Sequence, residues 1–231
     1  MLEPIAIYKW LSQLFPNSAL VRSCSALAPS TPGARNNSRC WRPRQRPRPY
    51  RSFLPKRLQL LRQVIPNGTL GALTDPAFPP TQSSIADLQA AARTLGLQLT
   101  IVYARTDSDL EAAFATFSQQ RTGAVVVSDS NFYTRRMEQL AALAARHALP
   151  AIFPYREYAL AGGLMSYGSS RGHAFHQVGI YTGRILNGEK AADLPVEQAT
   201  KIELVINLKT ARALHFTIPE TLLATADEVI Q

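Results

Sequence analysis

Residues 149–168 read LPAIFPYREYALAGGLMSYG, and this stretch decides the fold. A short apolar strand, Ala151 to Phe153, runs into a charged aromatic turn, Tyr155-Arg156-Glu157-Tyr158. Gly162-Gly163 then opens a second apolar segment, Leu164-Met165, which ends in Ser166-Tyr167-Gly168. Polar and aromatic groups at strand ends, beside glycines that admit close backbone approach, are what a small-molecule cleft requires. No metal or nucleophile motif accompanies them, so the residues favour binding over chemistry.

Upstream the same grammar repeats. Lys56 to Ile65 predicts a short helix with Leu58, Leu61, Val64 and Ile65 on one face. Thr69 to Thr74 reads as a buried strand, and Thr81 to Leu95 as a helix stopped by Gly96. Leu97 to Tyr103 is rich in β-branched residues and reads as a strand. Asp107 is placed to cap a helix from Ser108 to Gln120. Gly123 to Ser128 (GAVVVS) is a continuous apolar run, as expected of a parallel strand covered on both faces. Tyr133 to His147 predicts one helix. Strands alternating with helices imply α/β: a parallel sheet with right-handed crossovers, flanked by helices in a Rossmann-like lobe. Downstream, the pattern gives a helix over Gly172–Leu186, a linker at Asp193-Leu194-Pro195, a strand over Lys201–Asn207 and a short helix over Leu208–Leu214.

Composition separates this region from the start of the chain. Residues 1–55 carry nine of the 25 Lys and Arg against one acid, Glu3, which leaves the remaining 176 residues almost neutral. The net charge of +9 therefore describes a tail. Within it, RCWRPRQRPRPYRSFLP alternates Arg with Pro, which blocks helix interiors and predicts extended or disordered chain. A nucleic-acid-binding arm, with Trp41 and Tyr50 for stacking, rests on this composition alone, and a non-folding leader is favoured over it. Helical spacing of Ile5, Tyr8, Leu11 and Phe15 suits a short amphipathic segment, but Glu3, Pro4 and Lys9 make a poor secretory signal. Cys24 and Cys40 have no zinc-ligand spacing, and no apolar run reaches the roughly 18–20 residues of a membrane span.

In an open α/β sheet, ligands bind outside the carboxyl ends of the strands. That rule selects Asp75, Asp129, Ser130, Tyr155, Glu157, Ser166 and Tyr167 as candidate ligand-binding residues. Acids and hydroxyls suit the two charged ends of a small zwitterion, and the rings suit an apolar side chain. Each has a competing structural role. Asp75-Pro76 forms turns, Asp129 and Ser130 are residue types that cap helices, Arg156 and Glu157 suit a surface ion pair, and Tyr167 suits the core. His173 and His176 lack a third ligand, and Ser166 lacks a nucleophile elbow, so neither a metal, a cofactor nor a catalytic residue is assigned. A Rossmann-like enzyme using the same cleft is the alternative, but no G-x-G-x-x-G or P-loop pattern accompanies it.

From about Pro55 to Gln231 the chain resembles the substrate-binding proteins of ABC transporters, which have the type I periplasmic binding fold. The resemblance is carried by Lys56-Arg57-Leu58, Leu88-Gln89-Ala90-Ala91-Ala92-Arg93, Arg156-Glu157 and Gly162-Gly163-Leu164-Met165-Ser166-Tyr167-Gly168. It continues through Gly188-Glu189-Lys190, Ala192-Asp193-Leu194-Pro195-Val196 and Glu203-Leu204-Val205-Ile206-Asn207-Leu208-Lys209-Thr210-Ala211. The resemblance implies a two-lobed, non-enzymatic receptor that closes on a small solute, an amino acid among the candidates, and delivers it to a membrane permease outside the cytoplasm. Family members begin with an export signal and a complete first lobe, where this chain has its Arg/Pro-rich segment. The expectation is an N-terminally truncated or frame-disrupted member, with a tail over 1–55, a ligand-binding lobe over 56–160 and crossover segments over 161–231. The apolar residues Phe175, Val178, Ile180, Tyr181 and Ile185 are then expected to lack a partner sheet.

Overall fold

Helix α1, Leu54–Val64, begins with Pro55 inside its first turn, where the missing N–H is harmless. The computed structural model describes residues 53–66, 68–79, 81–195, 197 and 201–231. The Arg/Pro-rich segment through Ser52, the helical spacing over Ile5–Phe15, Cys24 and Cys40 lie outside the described residues, while Leu54 and Pro55, expected in the tail, begin α1 because Leu54 is buried in the core. The chain divides into two units. One comprises 50–178 and 199–231 and holds every strand described below; the other comprises 1–49 and 179–198.

The first unit follows the expected alternation. Strand β1 (Leu70–Thr74) leads to helix α2 (Thr81–Thr94), strand β2 (Leu99–Tyr103), helix α3 (Asp107–Gln119) and strand β3 (Ala124–Val127). Helices α4 (Asn131–Thr134) and α5 (Met137–Arg146) precede strand β4 (Ala151–Phe153), helix α6 (Arg156–Leu160) and strand β5 (Met165–Ser169). Helix α7 (Arg171–Leu186), strand β6 (Ile202–Asn207), helices α8 (Leu208–Ala213) and α9 (Glu220–Leu223) and strand β7 (Glu228–Ile230) complete the described elements.

The strands form one sheet in the order β2-β1-β3-β4-β5-β6-β7. All neighbours are parallel except β5 and β6, which run antiparallel with Ser166 opposite Val205. This pair departs from the all-parallel expectation. The expected strand over Lys201–Asn207 and helix over Leu208–Leu214 are present, and the reading stopped short of α9 and β7, whose apolar runs are too brief to show a period.

Alternation of side chains along each strand builds two apolar layers. Leu70, Ala72, Val126, Ile152 and Met165 face α1, α2 and α9 through Leu58, Leu61, Leu88 and Leu222. Leu73, Val125, Val127, Ala151 and Phe153 face the other way, onto Phe114, Phe117, Tyr133, Leu140 and Tyr158. The interior strands β1 and β3 are buried throughout, which explains their unbroken apolar sequence.

Three local expectations change. Thr106, not Asp107, caps α3: its hydroxyl accepts from the Asp109 N–H, and Asp109 accepts in return from the Thr106 N–H. The backbone of Thr106 is extended, as a cap requires, while Asp107 is already helical and pairs with Arg136. The segment expected as one helix from Tyr133 to His147 is two, because Ser130 starts a short turn of helix and Arg136 leaves helical geometry before Met137. Tyr155 to Tyr158 is not a turn but the start of α6, and Tyr158 stacks on Phe153 with ring centres 4.9 Å apart. Along α7 none of the side chains is buried; Phe175 and Ile180 are exposed as expected, whereas Val178, Tyr181 and Ile185 are half-buried.

Ala148 ends α5 in the left-handed region at φ 50°. A side chain there costs about 1–2 kcal/mol, and glycine removes that cost while losing about 0.5–1 kcal/mol of chain entropy. Ala148→Gly is therefore expected to stabilise the protein by about 0.5 kcal/mol, read as a raised thermal midpoint; a lowered midpoint contradicts the strain assignment.

Candidate functional site

The carboxyl end of β3 and the backbone of β5 meet on one buried cation. Arg57 lies on the apolar face of α1 between Leu54 and Leu58, and it is fully buried. Its Nε donates to the Tyr167 carbonyl at 2.8 Å. Its Nη1 donates to the Val127 carbonyl at 3.3 Å and to Asp129 Oδ2 at 3.0 Å, and Nη2 reaches Asp129 Oδ1 at 3.4 Å. A buried guanidinium is tolerated only when paired in this way. One side chain thus ties α1 to the end of β3 and to the middle of β5.

Asp129 follows β3 and is largely buried, with a side chain 12% exposed. Tyr155, the residue before α6, lies close enough to Asp129 to feel its charge. Burial first, and then the charge of Asp129, push the Tyr155 phenol well above its ordinary range, with Arg57 and Arg171 opposing. Tyr155 is therefore a neutral hydroxyl at neutral pH. The guanidinium of Arg171, at the start of α7, stands 5.4 Å from the centre of the Tyr155 ring.

Asp75 and Ser130 meet across the ends of β1 and β3. Ser130 Oγ donates to Asp75 Oδ2 at 2.5 Å and accepts from the Phe132 N–H at 3.0 Å, so it caps α4 and fixes Asp75 together. Asp75 Oδ1 accepts from the Ala77 N–H at 2.9 Å, an Asx turn that makes the bend before α2. Both residues thus fill the local roles their types suggest while standing at the strand ends.

The remaining candidates stand apart. Ser166 is not at a strand end but inside β5, 1% exposed, with its Oγ unpartnered. Tyr167 faces the opposite layer, packs edge-on against Phe53 at 6.0 Å and contributes its carbonyl to Arg57. Glu157 lies in the first turn of α6 with Oε2 buried and unpartnered. It does not pair with Arg156, which reaches across to Glu228 at 2.5 Å and Glu203 at 4.0 Å.

Gly168 belongs to the same construction. A Cβ there would overlap the Pro154 carbonyl oxygen and crowd Arg57 Nη2 at 3.3 Å, so the end of β5 passes the β4 loop only as glycine. Arg57 itself was legible in one respect: a charge on the buried stripe of an amphipathic helix requires a partner. Among the described residues, no group of three His, Cys, Asp or Glu is placed to hold a metal ion, and no helix is long and apolar enough to cross a membrane.

Residues 51–230 match the family model for ABC transporter substrate-binding proteins. The chain belongs to this family. Solved structures of bacterial proteins share its fold. A conserved-domain protein from Vibrio cholerae O1 biovar El Tor superposes with a TM-score of 0.69 at 24% identity, covering 77% of this chain and 60% of its own. The ABC domain from Streptococcus pneumonia in complex with L-Trp gives 0.68 at 22% identity, covering 78% and 62%. A substrate-binding protein with adhesive properties from Clostridium difficile, in its ligand-free open form, gives 0.56 at 18% identity, covering 76% and 59%. The chain therefore spans about 60% of the length of these proteins, and at such identities the likeness is one of fold. No curated protein matches the sequence.

Two outcomes follow from the Arg57 cluster. Arg57→Met leaves Asp129 without its counter-ion and is expected to cost about 3 kcal/mol in denaturant unfolding. Adding Asp129→Asn is expected to recover part of that loss, and strict additivity of the two would contradict the pairing. Gly168→Ala is expected to destabilise by about 3 kcal/mol through the clash with Pro154, and a value near zero would place the β4 loop elsewhere.

Proposed function

We propose that this chain receives a small solute at the carboxyl ends of β1, β3 and β4 and serves an ABC import system by binding, not by catalysis. The observation that carries the reading is the Arg57–Asp129–Tyr155 cluster at those strand ends in a chain of the substrate-binding family. The cluster offers a fixed carboxylate, a neutral phenol and a cation-covered ring, a set suited to a zwitterion with an aromatic or polar side chain. The L-Trp held by the Streptococcus protein supports an amino acid as the solute class.

Asp75 and Ser130 brace the wall, Asp129 and Tyr155 face the solute, and Glu157, Ser166 and Tyr167 stand behind them near the crossover. In this reading, residues 56–160 form the ligand-binding lobe together with Phe53, Leu54 and Pro55, which the structure joins to it, 161–231 form the crossover segments, and the tail ends before Phe53. The partners are the solute and an ABC permease, with no nucleic acid, and the place of action is outside the cytoplasm, as the family implies. The residues named supply one wall, and enclosure by a second wall sets the affinity.

A thermal-shift screen of the twenty amino acids with the full chain tests the reading. A member bound at about 100 times its Kd is expected to add about 2.7 kcal/mol and raise the midpoint by several degrees. Asp129→Asn is expected to weaken that member about tenfold or more, the loss of a hydrogen bond to a charged group. A panel with no stabilising member, or a hit indifferent to Asp129→Asn, would overturn the assignment.

A further inference from the structure

The sheet ends at β2, which pairs with β1 on one side and with no strand on the other among the described residues. Backbone bonding fixes what the outer side presents. The Gln98 carbonyl accepts from the Leu70 N–H, and the Ala104 N–H donates to the Thr74 carbonyl. Residues 98, 100, 102 and 104 therefore turn their polar groups towards β1. The N–H and C=O groups of Leu99, Ile101 and Tyr103 point outward, and none has a partner among the described residues.

Edge strands are normally guarded by a lysine, a proline, a bulge or brevity, because open polar groups recruit further strands. None of these guards is present on β2. Leu99-Thr100-Ile101-Val102-Tyr103 carries no charge and no proline, and it keeps one-to-one register with β1 throughout. Its residues are strand formers, half-buried up to Val102, and Tyr103 is 54% exposed. The opposite edge is guarded: β7 has three residues and carries Glu228, which pairs with Arg156.

We propose that β2 pairs with β2 of a second copy of this chain, antiparallel across a two-fold axis at Ile101. The outward groups fall on the first, third and fifth residues of the strand, so the set maps onto itself. Ile101 faces its own counterpart, and Leu99 faces Tyr103 of the other copy at each end, each pair exchanging both hydrogen bonds. Between them Thr100 faces Val102. The facing side chains are all uncharged, and Arg105, the nearest charge along the chain, falls opposite Leu97 rather than opposite itself. The Arg/Pro-rich segment of the same chain is a poor occupant of this edge, since Pro43, Pro47 and Pro49 lack the N–H that a ladder needs. Because the paired strands run in opposite directions, the strand-end walls of the two copies lie at opposite rims of the joined sheet, and both stay accessible.

The test is sedimentation velocity of the full chain over a roughly hundredfold range of concentration, beside Tyr103→Phe and Tyr103→Lys. The wild type is expected to pass from monomer to dimer as concentration rises, and Tyr103→Phe to follow it. Tyr103→Lys is expected to weaken association about tenfold or more, because the two-fold axis applies the change twice. Tyr103 is exposed, so both variants are expected to keep the melting transition of the dilute wild type. The register is read by disulfide trapping in a chain carrying Cys24→Ser and Cys40→Ser. Ile101→Cys chains are expected to cross-link to each other under mild oxidation, and Leu99→Cys chains only when mixed with Tyr103→Cys chains. A monomer at every concentration, a dimer indifferent to Tyr103→Lys, or Leu99→Cys chains that cross-link to themselves as readily as to Tyr103→Cys chains overturns the pairing.

Discussion

The wall of strand ends depends on a single buried cation. A guanidinium has five donors in a fixed plane, and Arg57 spends its reach on two carbonyls and one carboxylate drawn from distant parts of the chain. Lysine could satisfy one of these partners at a time, but not hold β3 and β5 at a set separation. Because the group is fully buried, each partner is needed for every other: losing one leaves a charge or a carbonyl stranded in a poorly screened interior. The positions of Asp129, Tyr155 and the β5 backbone are therefore consequences of one another. Gly168 completes the arrangement by letting β5 pass close to Pro154.

The architecture was readable because its signals are periodic. The four residues of β3 and the stripe Leu58, Leu61 and Val64 on α1 announce what they bury, and every strand but β7 follows from such runs. What escaped has a physical reason in each case. The antiparallel β5–β6 pairing is a choice of neighbour, and neither strand's own side chains encode it. The cap of α3 went to Thr106 because cap geometry depends on which residue leaves helical torsions first, and Asp107 has the same chemical aptitude. The break between α4 and α5 follows from Tyr133, whose hydroxyl donates to the Ala104 carbonyl at 3.0 Å and holds the first short helix in place.

The site was half legible for a similar reason. The rule that ligands gather at strand ends found Asp75, Asp129, Ser130 and Tyr155, because it needs only the ends of strands. It placed Ser166 too far out, since β5 continues through Ser169 and keeps that hydroxyl inside the sheet. It passed over Arg57 and Arg171, which come from a helix face and from the start of a later helix. Residues from a neighbouring element have no local pattern, and only the packing of elements brings them to these strand ends.

The β5–β6 pair has one more consequence. The Ser170 N–H donates to the Lys201 carbonyl at 2.9 Å, so the chain leaves the sheet and rejoins it at the same rung. To the sheet, the whole passage between these residues is the loop of a hairpin, whatever its length. Its closure cost grows only with the logarithm of that length. The passage is thus free to be shaped by demands other than those of the sheet.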